Sequence, residues 1–323
     1  MESGSPSGDP GITSDFPQNS TATVAGLVNC KGNSGQVLAC LRKVPMQKLL
    51  SAFLTFRNTT TVGEVFFPTI DNDFLPAAPS RLLASGSFHK NISVISGWTV
   101  DDGSIFTPPT LHDDAGVDAF IKLSYAGFNA TTRRFVSSLY PVADFTAEAQ
   151  TKKISPYFLK AAQIYRDLNF ACPNIDVARH VSRTGSSSWV YELNTTSLEA
   201  LLTLANATFL GVIHVSDVPF VFNHANVGLG ITPAQNVTQR RMSGSWAQFV
   251  DNGNPNGNVG DHLTPWQKAF PDGFNGKITN MHIRVIGGPG AGLQTLSATG
   301  PGPQLLERCA KIFMQEGWRQ FGA

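Results

Sequence analysis

The sequence predicts an α/β protein, and three observations carry that reading. Short strand-like runs are few and far apart, long helical stretches separate them, and neither an internal repeat nor a linker divides the 323 residues. A chain of this length can bury one large core or two modest ones.

The elements follow in order. Residues 1–24 are polar and rich in Gly, Pro and Ser, and are expected to be loop. From about Gln36 to Phe53 the apolar residues Val37, Leu41, Val44, Leu49 and Leu50 recur at helical spacing, and Pro45 should break or kink that helix. Asp71-Asn72-Asp73 lacks the glycine and closing glutamate of a calcium loop and reads as a turn. Asn91 to Gly97 is short, β-branched and bounded by glycine, which predicts a strand. Residues 115–182 read as helices, one starting at Ser155 as N-cap with Pro156 in the first helical position. Ser188–Leu193 predicts a second strand, and about Val237 to Val250 a helix stopped by Asp251-Asn252-Gly253. Met281 to Ile286 and Leu293 to Leu296 face each other across a Gly-rich turn as a hairpin. The Gly287–Gly292 stretch lacks the lysine and spacing of a phosphate loop. A last helix presents Leu305, Leu306, Cys309, Ile312 and Phe313 on one face.

Composition narrows the partners. Net charge is +1 with no long run of either sign, so the clustered basic face that nucleic acid requires is missing. No apolar run approaches the ~18 residues that span a bilayer. Asn-x-Ser/Thr acceptors occur at Asn19, Asn58, Asn91, Asn129, Asn194, Asn206 and Asn236. Chance would place roughly three or four among the asparagines, so the excess predicts a glycosylated, extracellular protein. Cys30, Cys40, Cys172 and Cys309 form an even set without C-x-x-C spacing, which argues for disulfides and against zinc; three pairings are open. The first residues carry no signal peptide, which conflicts with secretion and suggests an N-terminus that is not the natural one.

Among seven histidines, His214 stands out, because it follows the small apolar run Leu210-Gly211-Val212-Ile213 beyond the second strand. Asp101-Asp102-Gly103 follows closely on the first. Functional groups of α/β sheets collect at the carboxyl ends of strands. An acid after one strand and a histidine after a later one reproduce the Asp/Glu…His order of hydrolytic triads. A nucleophile elbow, G-x-S-x-G, occurs nowhere in the sequence; Ser34 and Ser187 each lack a required glycine.

The residues resemble the type-B carboxylesterases, which include cholinesterases and fungal lipases. Ser3-Gly4-Ser5-Pro6 is similar to the stretch that follows the elbow in that family, and Cys30…Cys40-Leu41-Arg42 to its small disulfide loop. Phe67-Pro68-Thr69-Ile70-Asp71 and Leu83…Gly86-Ser87-Phe88 resemble the approach to the acid strand. Gly97-Trp98-Thr99-Val100-Asp101-Asp102-Gly103 matches the acid motif, whose carboxylate stands directly before the glycine. Phe170…Cys172-Pro173, then Gly211-Val212-Ile213-His214 with Asp217 and Phe220-Val221-Phe222, resemble the histidine region; Trp246…Phe249…Gly253-Asn254-Pro255-Asn256 resembles the segment after it. The departures are Asp102 where Glu is commoner, Val215 where Gly usually follows the histidine, and Asn223 in place of Gly.

The resemblance implies an α/β-hydrolase fold, incomplete, with residues 1–323 the C-terminal portion of a single domain. It makes Asp102 the orienting acid and His214 the general base, and sets the serine elbow and oxyanion loop before Ser3. It also implies disulfides Cys30–Cys40 and Cys172–Cys309, worth roughly 3 and 5 kcal/mol on the loop-entropy account. The activity implied for the complete protein is hydrolysis of small-molecule or lipid carboxylic esters through an acyl-enzyme, without metal or cofactor. This chain alone is then expected to be inactive. The alternative is a non-catalytic binding or adhesion protein on the same fold.

Overall fold

The computed structural model describes residues 1–6, 16–59, 66, 68–125, 127–226, 230–257, 260–276, 278–288, 292–295 and 305–313. They fall into two compact units, one built from residues 9–79 and one from residues 1–8 and 80–321.

The smaller unit is helical. α1 (Phe16–Leu27), α2 (Ser34–Leu41) and α3 (Met46–Thr59) surround Val24, Ala25, Val28, Cys30 and Ala52. Pro45 separates α2 from α3, as the missing amide of a proline requires. Asn33 starts α2 with a capping box: its side chain accepts from the Gln36 amide, and the Gln36 side chain accepts from the Asn33 amide. Cys30 and Cys40 are bonded across this short loop, with Cα atoms 5.6 Å apart. The expectation of loop over residues 1–24 is corrected here, since Phe16 to Leu27 is helix. Its Ser/Thr-rich sequence favours turns in isolation, but Val24 and Ala25 pack into the cluster that holds Ala52, and that burial outweighs a weak propensity. Residues 7–15 lie outside the described residues. Asp71 forms the expected turn, its Oδ1 accepting from the amides of Leu75 (2.9 Å) and Asp73 (3.0 Å), which lower its pKa.

The larger unit is built on a four-stranded sheet. β1 (Val94–Thr99) runs parallel to β2 (Ser188–Leu193), β2 parallel to β3 (His282–Ile286), and β3 antiparallel to β4 (Gly292–Thr295). The β3–β4 pair is the hairpin read from the sequence, up to Thr295; Leu296 lies outside the described residues. On the far side of β1, Glu2 forms a parallel bridge with Gly97, again correcting the loop expectation. β1 is also displaced from the predicted Asn91–Gly97. Asn91 has a left-handed φ of 63°, which no strand accommodates, whereas Trp98 and Thr99 continue the pairing with Glu192 and Leu193.

Helices cover both faces. α4 (Pro79–Ser85) packs Leu83 against Val177 and Val181. α5 (Asp114–Ser124), α6 (Ala130–Ser138), α7 (Thr146–Lys152), α8 (Pro156–Arg166) and α9 (Cys172–Arg183) fill the region expected to be helical. α8 starts as expected, with Ser155 accepting from the Tyr157 amide and Pro156 next. α10 (Glu199–Leu204) and α11 (Val218–Val221) flank the histidine loop. α12 (Pro233–Asn252) begins four residues before its expected start and ends at Gly253, φ 73°. α13 (Leu305–Phe313) buries Leu305, Leu306, Cys309 and Ile312, and its Cys309 is bonded to Cys172. Every residue of β2 is buried, as a strand covered on both faces must be. Val190 joins Trp98, Ile164 and Ile283 on one side; Trp189, Tyr191 and Leu193 join Phe220, Met242 and Trp266 on the other.

Between α8 and α9 the chain makes a π turn, Asp167–Ala171, which leaves Asp167 fully buried. Its Oδ1 accepts from Arg166 and from Gln163 Nε2 (2.9 Å), and its Oδ2 from Arg308 Nε and Tyr140 Oη, both at 2.9 Å. Burial opposes this charge, but the Arg166 and Arg308 guanidinium groups outweigh it and hold the Asp167 carboxyl below its ordinary pKa.

Candidate active site

Asp102 stands just past the carboxyl end of β1, in a tight turn. Its amide donates to Thr99 O (3.2 Å) and its Oδ2 accepts from the Thr99 amide (2.9 Å), which fixes the carboxylate. The next residue has to be glycine. A Cβ at Gly103 would lie 2.0 Å from the carbonyl oxygen of Ala162, so α8 and the acid turn approach backbone to backbone.

His214 is brought to Asp102 across more than a hundred residues. Its Nδ1 lies 2.8 Å from Asp102 Oδ1; the carboxylate is wholly buried, while the imidazole is 23% exposed. An ionised carboxylate only accepts, so Nδ1 carries the proton and Nε2 is the basic nitrogen. Phe170 and Phe106 flank the ring, with centroids 4.9 and 5.2 Å away. Val215, immediately after the histidine, takes φ 61°, an unfavourable left-handed conformation for a β-branched side chain. Asn223, the other departure from glycine, has φ 51°, which asparagine tolerates.

Asp101, the carboxylate beside Asp102, does not reach the imidazole. Its Oδ2 accepts from the Val212 amide (2.8 Å) and its Oδ1 from Lys152 Nζ (3.1 Å). Sequence reasoning also left Asp217 without a task. It is buried three residues after His214, accepting from Tyr191 Oη (2.6 Å) and Ser3 Oγ (3.4 Å). Burial raises its pKa to about 6; the Tyr191 bond works against that rise and the Asp102 charge adds to it.

This raised value has a measurable consequence. The folded state keeps a proton on Asp217 that the unfolded state releases above about pH 4, so this group's contribution to stability falls as pH rises from there through about 6. Asp217→Asn cannot titrate. Its stability relative to the parent chain is expected to grow by about 2 kcal/mol between about pH 4 and pH 7. Urea denaturation across that range checks it, and a pH-independent difference would contradict the ionisation reading.

Six of the predicted acceptor asparagines, Asn19, Asn58, Asn91, Asn129, Asn206 and Asn236, are exposed. Asn194 is half-buried at the end of β2, its amide bonded to Ile286 O at 2.7 Å. Among the described residues, no His/Cys/Asp/Glu group could hold a metal ion, and no helix is long and apolar enough to cross a membrane.

A mainly parallel sheet covered by helices on both faces, with a carboxylate and an imidazole paired beyond its strand ends, is the arrangement of the α/β-hydrolase fold. The chain belongs to the carboxylesterase family, which it matches over residues 1–283. It is 33% identical to the inactive carboxylesterase-like protein VdtD of Byssochlamys spectabilis, over 82% of this chain and 49% of that protein. It is 32% identical to a secreted lipase of Arthroderma benhamiae, over 94% of this chain and 54% of the lipase. The chain thus spans about half the length of these relatives.

Proposed function

We propose that these residues provide the acid–base half of a carboxylic ester hydrolase, with His214 as general base and acid and Asp102 orienting it. The observation that carries this is the 2.8 Å contact between His214 Nδ1 and Asp102 Oδ1, made by a buried carboxylate and a partly exposed ring. In that mechanism a serine attacks the ester carbonyl while His214 Nε2 takes its proton. Backbone amides hold the oxyanion, and the alcohol leaves with the proton returned by His214. Water, activated in the same way, then releases the acid. The substrates are small-molecule or lipid esters. Similarity to a secreted lipase, the two disulfides and the acceptor asparagines support an extracellular, glycosylated protein.

The sequence contains no G-x-S-x-G elbow, so residues 1–323 by themselves lack the serine this reaction needs. Expressed alone, they are expected to turn over no short-chain p-nitrophenyl ester and to take no label from a fluorophosphonate probe. Joined at Met1 to a family segment carrying the elbow, they are expected to do both. Labelling of the 323-residue chain at a serine that supports turnover would overturn this division of roles.

A second reading is a catalytically silent relative that binds rather than hydrolyses. Similarity to a protein named as inactive supports it. The same experiment separates the two, because a folded but inert joined chain favours the silent protein.

A further inference from the structure

Two adjacent carboxylates, Asp101 and Asp102, leave the turn after β1 in different directions, and only Asp102 meets the imidazole. Asp101 grips the chain that carries it. Its side-chain Oδ2 accepts from the Val212 amide at 2.8 Å, while its own amide donates to Val212 O at 3.2 Å, so both polar groups of Val212 are held by one residue. Nearby, Ser104 Oγ donates to Leu210 O at 2.8 Å. Lys152, from α7, bonds the other Asp101 oxygen at 3.1 Å and is itself braced by Glu148 at 2.8 Å.

The fit is close. Gly211 has φ 72°, and a Cβ there would lie 2.1 Å from Asp101 Oδ2 and 3.2 Å from Lys152 Nζ. The histidine segment is therefore bracketed by two left-handed residues, Gly211 and Val215. The second conformation costs energy for valine and persists only where the surroundings over-determine it.

We propose that Asp101, neutralised by Lys152, is a positioning residue for His214: it clamps Val212 so that the loop presents the imidazole to Asp102 in one orientation. This rests on the reading of His214 and Asp102 as the acid–base pair. Burial works to raise the Asp101 pKa. Burial also opposes the charge on Lys152, but the Asp101 and Glu148 carboxylates outweigh it and hold the ammonium above its ordinary pKa, with Nζ 3.1 Å from Asp101 Oδ1. The cost of leaving either partner buried alone makes the pair act as a unit.

The test uses the 323-residue chain itself and needs no turnover. Proton NMR follows the low-field imidazole resonance of His214, identified by its loss in Asp102→Asn, and hydrogen exchange follows the Val212 amide. In Asp101→Ala the resonance is expected to disappear and the Val212 amide to exchange about tenfold faster or more, while β2 stays protected. Lys152→Met is expected to do the same more weakly, and Lys152→Arg to preserve both signals. Should Asp101→Ala fail to fold, the two Lys152 variants carry the same comparison. An unchanged resonance and unchanged Val212 exchange in a folded Asp101→Ala or Lys152→Met chain would overturn the clamp alone. A parent chain with no low-field resonance sensitive to Asp102→Asn would overturn the acid–base pair and the proposal with it.

Discussion

Asp102→Asn is expected to lower ester turnover about ten-thousand-fold in a chain completed with a family nucleophile segment, with substrate binding little changed. The buried carboxylate accepts the hydrogen bond of His214 Nδ1–H at 2.8 Å, and in the proposed mechanism it stabilises the imidazolium that forms when serine attacks. Asparagine is nearly isosteric, and its side chain can still accept from the Thr99 amide, so the turn survives. What changes is the proton. An amide N–H facing Nδ1 favours the tautomer with the proton on Nε2, where it blocks general-base action. His214→Ala should cost at least as much, and combining the two should cost little more, because the pair works as a unit. Steady-state kinetics with p-nitrophenyl esters make the comparison. Turnover within tenfold of the parent for either variant would sink the assignment.

Asp167→Ala is expected to destabilise the chain by about 3–5 kcal/mol, the largest stability effect of any single change considered. Removing the carboxylate leaves Arg166 and Arg308 buried, one on α8 and one on α13, and removes the acceptor of Tyr140 and Gln163. Glu192, 3.8 Å from Arg166, can compensate only that arginine. The pH dependence has a definite sign. A carboxyl held below its ordinary pKa in the folded state stabilises that state fully above about pH 4, and this contribution is lost only as pH falls through the lowered folded value. Parent and variant should therefore converge in acid. Thermal or urea denaturation reads the loss, and a variant within about 1 kcal/mol of the parent near neutral pH would show that the cluster is dispensable.

Local signals were legible wherever the physics is local. Pro45 divides two helices because proline has no amide to donate. Ser155-Pro156 starts α8 through a cap that spans two residues. Ser188–Leu193 is β2 to the residue, since a short apolar run buried on both faces has little other use. α1 was missed for the converse reason: its residues favour turns until Val24 and Ala25 find their partners. The candidate acid and histidine were named through motif order, and the structure sets them 2.8 Å apart. Asp101 and Asp217 stood within the same motifs but without a role, and Lys152 carried no signal at all. A charged residue in a loop looks like surface until something distant buries it.

By itself, then, the sequence determined the α/β class, a few helix ends such as the Ser155-Pro156 start and the Gly253 stop, the family and the two residues proposed for acid–base chemistry, because these depend on periodicity, capping and short motifs. The tertiary structure supplied the contact itself, with His214 Nδ1 2.8 Å from Asp102 Oδ1. It alone brought Asp101 to Val212 and Lys152, and Arg308 of α13 to Asp167. Each of those is a contact between residues far apart in the chain. The free energy of such a contact comes from desolvation and geometry, and neither exists until the fold has removed water and fixed the partners' directions.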